Sequence, residues 1–393
     1  ADLRSPDFEL LIENTETDAA IDNLQLSSTN EVAGAVVGYM LRGKLTIQGT
    51  ANKPVTVQNT TVQGWWNVGG IAGETKDGVL VTGTYLTVKD TTLTSRKATG
   101  GIIGEYGAYT AGTGSTLEHV KITDVKVQEA SASDTATYDS ENGQGGVVGK
   151  CRGYLTLKDV TVSTAEPTDS SKECKIAAVA NNRVDADEKE KGVGGLAGAV
   201  TSKAKLTLNN CTVSNITVAA EKGNAKTTNM NFPVSAGGAV GYSTGTILVD
   251  GTLITKDVTV TTYAGRAALG NKTREQVKHF SAGGVVGCLR GKLTTTSNDY
   301  VSTITAESNT VTGMYAGGFA GTVASYGSSD LPIKLQGKAG SKLVDGGTVT
   351  GGQAAGGLFG QLGMSTGSLY LNPEKGTIPL VVSGVTVSGM DAG

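Results

Sequence analysis

The chain has 393 residues, a formal charge of −3 and a pI near 5.6. That balance excludes a strongly basic, phosphate-seeking protein, so no nucleic-acid partner is expected. No apolar run approaches 18 residues, so no helical membrane insertion is expected either, and glycine, at 57 residues, holds about twice its usual share.

Residues 1–33 come first. ADLRSPDFELL lacks the basic and apolar regions of a signal peptide. Phe8–Ser28, FELLIENTETDAAIDNLQLSS, reads as the two-strand half of a repeat without its glycine half. The nine-repeat array then occupies residues 34–393, starting with GAVVG at Gly34–Gly38. It continues with GGIAG at Gly69, GGIIG at Gly100, GGVVG at Gly145, GGLAG at Gly194, GGAVG at Gly237, GGVVG at Gly283, GGFAG at Gly317 and GGLFG at Gly356. Successive copies lie 31 to 49 residues apart. A long, variable period of this kind signals a solenoid rather than a globular core.

After each motif a polar turn leads to an x-L-T-L strand, as at Lys44–Ile47, Tyr154–Leu157, Lys205–Leu208 and Ser368–Leu371. A second run follows, taken as equivalent at Val160–Val162, Ile216–Val218, Val258–Val260 and Val385–Val387. Both alternate apolar residues with Thr, the period of a half-buried strand. GGVVG itself, apolar at both middle positions, is expected to be a central strand covered on both faces, with glycines where another backbone approaches. A nucleotide loop is not expected, because no helical pattern follows the glycines.

The insertions fall before the next glycine pair: 128–144, 163–193, 219–236 and 261–282. Leaving one corner of the coil, they place function there or on the flat face beside it, and Ser163–Val193 is expected to be removable down to a short turn. DADEKEK at Asp185–Lys191 reads as a solvated loop. Trp65 and Trp66, the only tryptophan pair, are candidate ligand contacts, with at most one expected to be exposed. The cysteines lack CxxC spacing and there are two histidines, His119 and His279, so neither a metal site nor a cofactor is expected. Cys151 and Cys174 are either small buried residues or a candidate disulfide. The chain closes on VSGMDAG, Val387–Gly393, which matches the run before Gly317. This suggests either an excised segment of a longer protein or a fibre subunit that stacks on itself end to end.

Strands that cannot bury their own faces must stack on the copies above and below. The expected fold is all-β: a single elongated right-handed parallel β-helix with about three short strands per repeat of roughly 40 residues. A propeller, with four strands per blade, is the rival. The run V-G-G-L-A-G followed by L-x-N-C-x-V, Val193–Val213, resembles the GLUG-motif repeats of bacterial surface and secreted proteins. The likeness extends from about Val32 to the end, with longer repeats here and the Asn-Cys pair kept only at Asn210–Cys211. It implies a β-helical, extracellular, adhesin-like bacterial protein, with no activity and no catalytic residue.

A non-catalytic adhesive rod that binds a host or microbial surface, or a glycan, is therefore the first expectation. A polysaccharide-active enzyme would need two carboxylates facing one bond. Asp159 and Asp257 instead read as equivalent turn residues, and no D-D or G-H-G occurs. Ice binding would need a uniform threonine ladder, which Leu80, Leu248 and Tyr370 interrupt among Thr46, Thr156, Thr207 and Thr294.

Overall fold

The computed structural model describes residues 2–3, 8–15, 21–29, 31–107, 114–130, 142–169, 172–180, 191–222, 234–263, 280–295, 302–325, 333–337, 341–364, 369–373 and 381–389. It is a right-handed parallel β-helix in which every described strand pair is parallel and each turn of the coil visits three sheets. The three-strand expectation is borne out at that level.

The first sheet holds the short strands that leave each glycine motif, such as Ala72–Thr75, Val148–Cys151 and Val240–Ser243. The second holds the long strands, such as Val79–Lys89, Ser115–Thr123, Tyr154–Ser163 and Lys205–Ser214. The third sheet is visited twice, once after the long strand and once just before the next glycine pair, as at Thr92–Ser95 and Ala98–Gly100. The opening half-repeat stacks on the next rung: Glu9–Glu13 pairs with Lys44–Gln48, Ile21 with Val57 and Gln25 with Thr61.

The sequence pattern explains the stacking. Along Tyr154–Ser163, half-buried and buried residues alternate, except that Lys158 and Asp159 are both half-buried. Asp159 has φ of 51°. This left-handed residue bends the strand and resets which side faces inward. Register then aligns like with like: Val57, Val88, Ile122, Val162 and Val213 form one buried column. One hydrophobic cluster runs from Ala33 to Val349.

The glycine motif is a corner, which corrects its reading as a central strand. Asn142–Gly145 ends on the first glycine, and the next strand begins only at Val148. At this corner the chain folds back against itself. A Cβ on Gly145 would lie 2.0 Å from the carbonyl oxygen of Val148, and one on Gly149 would lie 2.6 Å from that of Gly104. The expected close approach of backbone is therefore present, and its cause is the corner.

Two further expectations change. Val160–Val162 lies in the second sheet against Cys211–Val213, whereas Val260 lies in the third sheet between Val218 and Val311. The similar V-T-V runs thus occupy two different positions in the coil. The insertion 163–193 also contains a strand, Lys175–Ala180, which pairs on one side with Lys126–Gln128 and on the other with Thr217–Lys222. It is not a removable loop.

All four cysteines are free and buried, and no disulfide joins Cys151 to Cys174. Cys151 ends a strand of the first sheet, while Cys174 leads into one of the third, so the two thiols belong to different walls of the coil. Burial pushes Cys151, Cys174 and Cys211 up to about 12. Native protein at pH 8 should therefore leave Ellman's reagent unreacted, and the denatured chain should titrate four thiols. A denatured count of two, or rapid native labelling, would contradict this arrangement.

Candidate functional site

The corner between the first and second sheets carries a groove of about 860 Å³. Arg152, Tyr154, Lys203, Lys205 and Thr246 line it, with Asp77 as the carboxylate among these groups. Tyr154, Lys205 and Thr246 open the second-sheet strand in three successive rungs, a short one at Thr246–Val249, and stand opposite one another in register. Each is the variable first residue of x-L-T-L or its counterpart, so its side chain points away from the Leu that follows. Lys203 and Lys205 are exposed, and Tyr154 is half-buried.

Arg152 is held in place from below. Its Nη1 donates to Glu105 Oε1 at 2.8 Å, and Glu105 is almost fully buried. Burial pushes the Glu105 carboxyl up, but the charge of Lys150, the bond from Arg152 and the charge of Lys97 outweigh it and hold the group below its usual range. Asn67 Nδ2 donates to Glu105 Oε2 at 3.2 Å and to Glu74 Oε2 at 2.8 Å. Beneath the groove, Tyr106 lies 2.7 Å from Ser115 Oγ and donates to the Tyr154 carbonyl at 3.0 Å. The resulting wall is a guanidinium held by Glu105 beside two exposed lysines and a ring.

A second cluster sits further along the same strands, at the bend. Tyr85, His119, Asp159 and Asn210 all have left-handed φ, between 51° and 54°, and they stand in line through the register of their neighbours. The Tyr85 and His119 rings stack with centroids 4.4 Å apart and planes at 18°. His119 Nδ1 is 3.6 Å from Asp159 Oδ2, and Nε2 is 3.5 Å from Glu118 Oε1. Lys158 Nζ reaches Glu118 Oε1 at 2.5 Å, and Asn210 Nδ2 donates to Asp159 Oδ1 at 3.1 Å. Sequence alone leaves His119 isolated, because Asp159 lies 40 residues away. Asp257 is also left-handed, at 53°, but at the later bend, opposite Asn215 and Ser308. The supposed equivalence of Asp159 and Asp257 therefore fails. His279 lies outside the described residues.

The remaining candidates are placed as follows. Trp65 and Trp66 are both half-buried, and each lies under a cation from the next rung: Arg96 at 3.4 Å from the Trp65 ring centre and Lys97 at 5.4 Å from that of Trp66. Neither belongs to the groove or the bend. Residues 131–141, 181–190, 223–233 and 264–279, the middles of the four insertions, lie outside the described residues, as do 390–393. On the second sheet the threonine column Thr46, Thr82, Thr116, Thr156 and Thr207 gives way to Leu248, as expected, but Leu80 stands opposite Lys44 and does not interrupt it. The third sheet carries a ladder that was not foreseen: Thr259, Thr310, Thr348 and Thr386, with Thr261, Thr312, Thr350 and Ser388 beside it. Its hydroxyls approach between rungs, 3.1 Å apart at Thr350 and Ser388.

No family model, curated protein or solved structure matches the chain.

Proposed function

We propose that the chain is a non-catalytic, structural and adhesive β-helical segment of a bacterial protein exposed outside the cell, and that it takes hold of acidic glycan through the groove at Tyr154. One observation carries this reading: a ring flanked by Arg152, Lys203 and Lys205 in an open trough that runs across rungs. A uronic-acid residue presents a carboxylate to cations and a flat C–H face to an aromatic ring. Charge-assisted bonds from the Lys203 and Lys205 ammonium groups are the stronger class of hydrogen bond, and Arg152, tethered to Glu105, adds its positive charge to the wall. Rungs about 4.8 Å apart suit a ligand that is itself a repeating chain. The non-enzymatic reading is supported by the roles of the strand carboxylates: Glu118 binds Lys158, Asp159 binds Asn210 and Glu105 binds Arg152.

Calorimetric titration with polygalacturonate, a neutral glucan and a single-stranded oligonucleotide tests the proposal. Polygalacturonate should bind and the neutral glucan should not. Lys203→Glu with Lys205→Glu should weaken binding at least tenfold. Equal binding of the neutral glucan, equal binding of the oligonucleotide, or full affinity in the double variant would each overturn it.

A further inference from the structure

The bend cluster lies apart from the groove and takes no part in the proposed glycan contact. We infer that Glu118, His119 and Asp159 form a binding site for a divalent transition metal of the zinc type, bridging two successive rungs. One ligand atom from each residue lies within 4.8 Å of the others. The set of one imidazole and two carboxylates is chemically suited to such an ion.

The spacing is that of ion pairs rather than direct hydrogen bonds, and it leaves room for an ion. At 3.6 Å, His119 Nδ1 and Asp159 Oδ2 stand too far apart for a hydrogen bond of normal length. Two ligands around an ion with bonds of about 2.1 Å in tetrahedral geometry stand ~3.4 Å apart. The Nδ1–Asp159 gap therefore matches one edge of that tetrahedron, while Glu118 Oε1 stands 3.5 Å from the other ring nitrogen, Nε2, and must turn toward the ion to become the third protein ligand, with water the fourth.

Neighbouring side chains already hold the ligands in position. Asn210 Nδ2 donates to Asp159 Oδ1 and leaves Oδ2 toward the histidine. Tyr85 stacks on the imidazole and fixes its plane. Supports of this kind are what orient metal ligands. The left-handed φ of both His119 and Asp159 is what brings the two side chains together. The same left-handed φ recurs at the bend in successive rungs, at Tyr85 and Asn210 as well, so it is the coil's own geometry that places the two side chains side by side. All three ligands are half-buried, so an ion has a path in.

Lys158 is the resident competitor. Its ammonium holds Glu118 Oε1 at 2.5 Å, and a metal must displace it. That makes a direction-specific test possible. Zn²⁺ is titrated calorimetrically into the intact chain, with Co²⁺ absorption as a second readout. One site is expected to disappear, with at least a tenfold loss of affinity, in His119→Asn and in Asp159→Asn. Asn tolerates the left-handed backbone, so both variants should keep the fold, with circular dichroism as the check. Lys158→Met should tighten binding. Zn²⁺ should also raise the melting temperature of the unaltered chain and not that of His119→Asn, because an ion bound only by the native state stabilises it. Absence of saturable binding, binding unchanged in His119→Asn, or weaker binding in Lys158→Met would each overturn the assignment.

Discussion

Gly145→Ala should destabilise the coil by about 3 kcal/mol or more, and Gly363→Ala should be close to neutral. The added methyl at position 145 meets backbone on two sides: the Val148 carbonyl oxygen at 2.0 Å in its own corner and the Gly198 amide nitrogen at 2.7 Å in the next rung. Neither contact is a side chain that can swing away, so relief requires opening the corner or parting two rungs. Overpacking costs typically 1–3 kcal/mol where neighbours yield, and here they are main chain. At Gly363 nothing lies within 4 Å of the added atom. Crowding is not confined to the first motif position, since a Cβ on Gly146 would lie 2.0 Å from the Gly195 carbonyl oxygen. The first motif position is glycine in all nine copies, while the second is Ala35 once. Urea unfolding of the two variants checks the claim. If Gly145→Ala unfolds at the same midpoint as the unaltered chain, the motif is not a closed corner.

The repeat was legible because its cause is local. A glycine pair, a polar turn and an alternating strand recur in each copy, and the alternation directly names the buried column. What escaped was whatever depends on register between rungs. V-T-V at Val160 and at Val258 look alike, and only pairing shows that one lies before the second left-handed corner and the other after it. Tyr154 and Lys205 were visible as the first residues of their strands, but their adjacency to Lys203 and Arg152 needs the turns of two rungs side by side. His119 and Asp159 meet for the same reason. Polarity was misleading as well. Lys191 ends a run of charge and Glu129 opens an insertion, so both read as solvated loop. Both are in fact strand residues, Glu129 closing Lys126–Glu129 and Lys191 opening Lys191–Gly194.

That pair carries the second large expectation. Lys191→Met alone should cost roughly 3–5 kcal/mol, as breaking one half of a buried ion pair does. Lys191 Nζ binds Glu129 Oε1, and the two side chains are only 7% and 1% exposed. Together they clasp the peptide of Val179 in the intervening strand: its amide donates to Glu129 Oε2 at 2.9 Å, and its carbonyl accepts from Lys191 at 3.5 Å. Three passes of the third sheet are thus tied by one charge pair. Without the ammonium, Glu129 keeps one amide donor but loses its counter-ion in a dry site. Pairing Lys191→Met with Glu129→Leu removes both charges and should recover most of the loss. About 1 kcal/mol should remain for the Val179 amide left without an acceptor. Denaturant unfolding of the two single variants and the double variant gives the coupling directly. A Lys191→Met midpoint within about 0.5 kcal/mol of the unaltered chain, the range of ordinary surface changes, would show that Lys191 faces water and does not tie the three passes together.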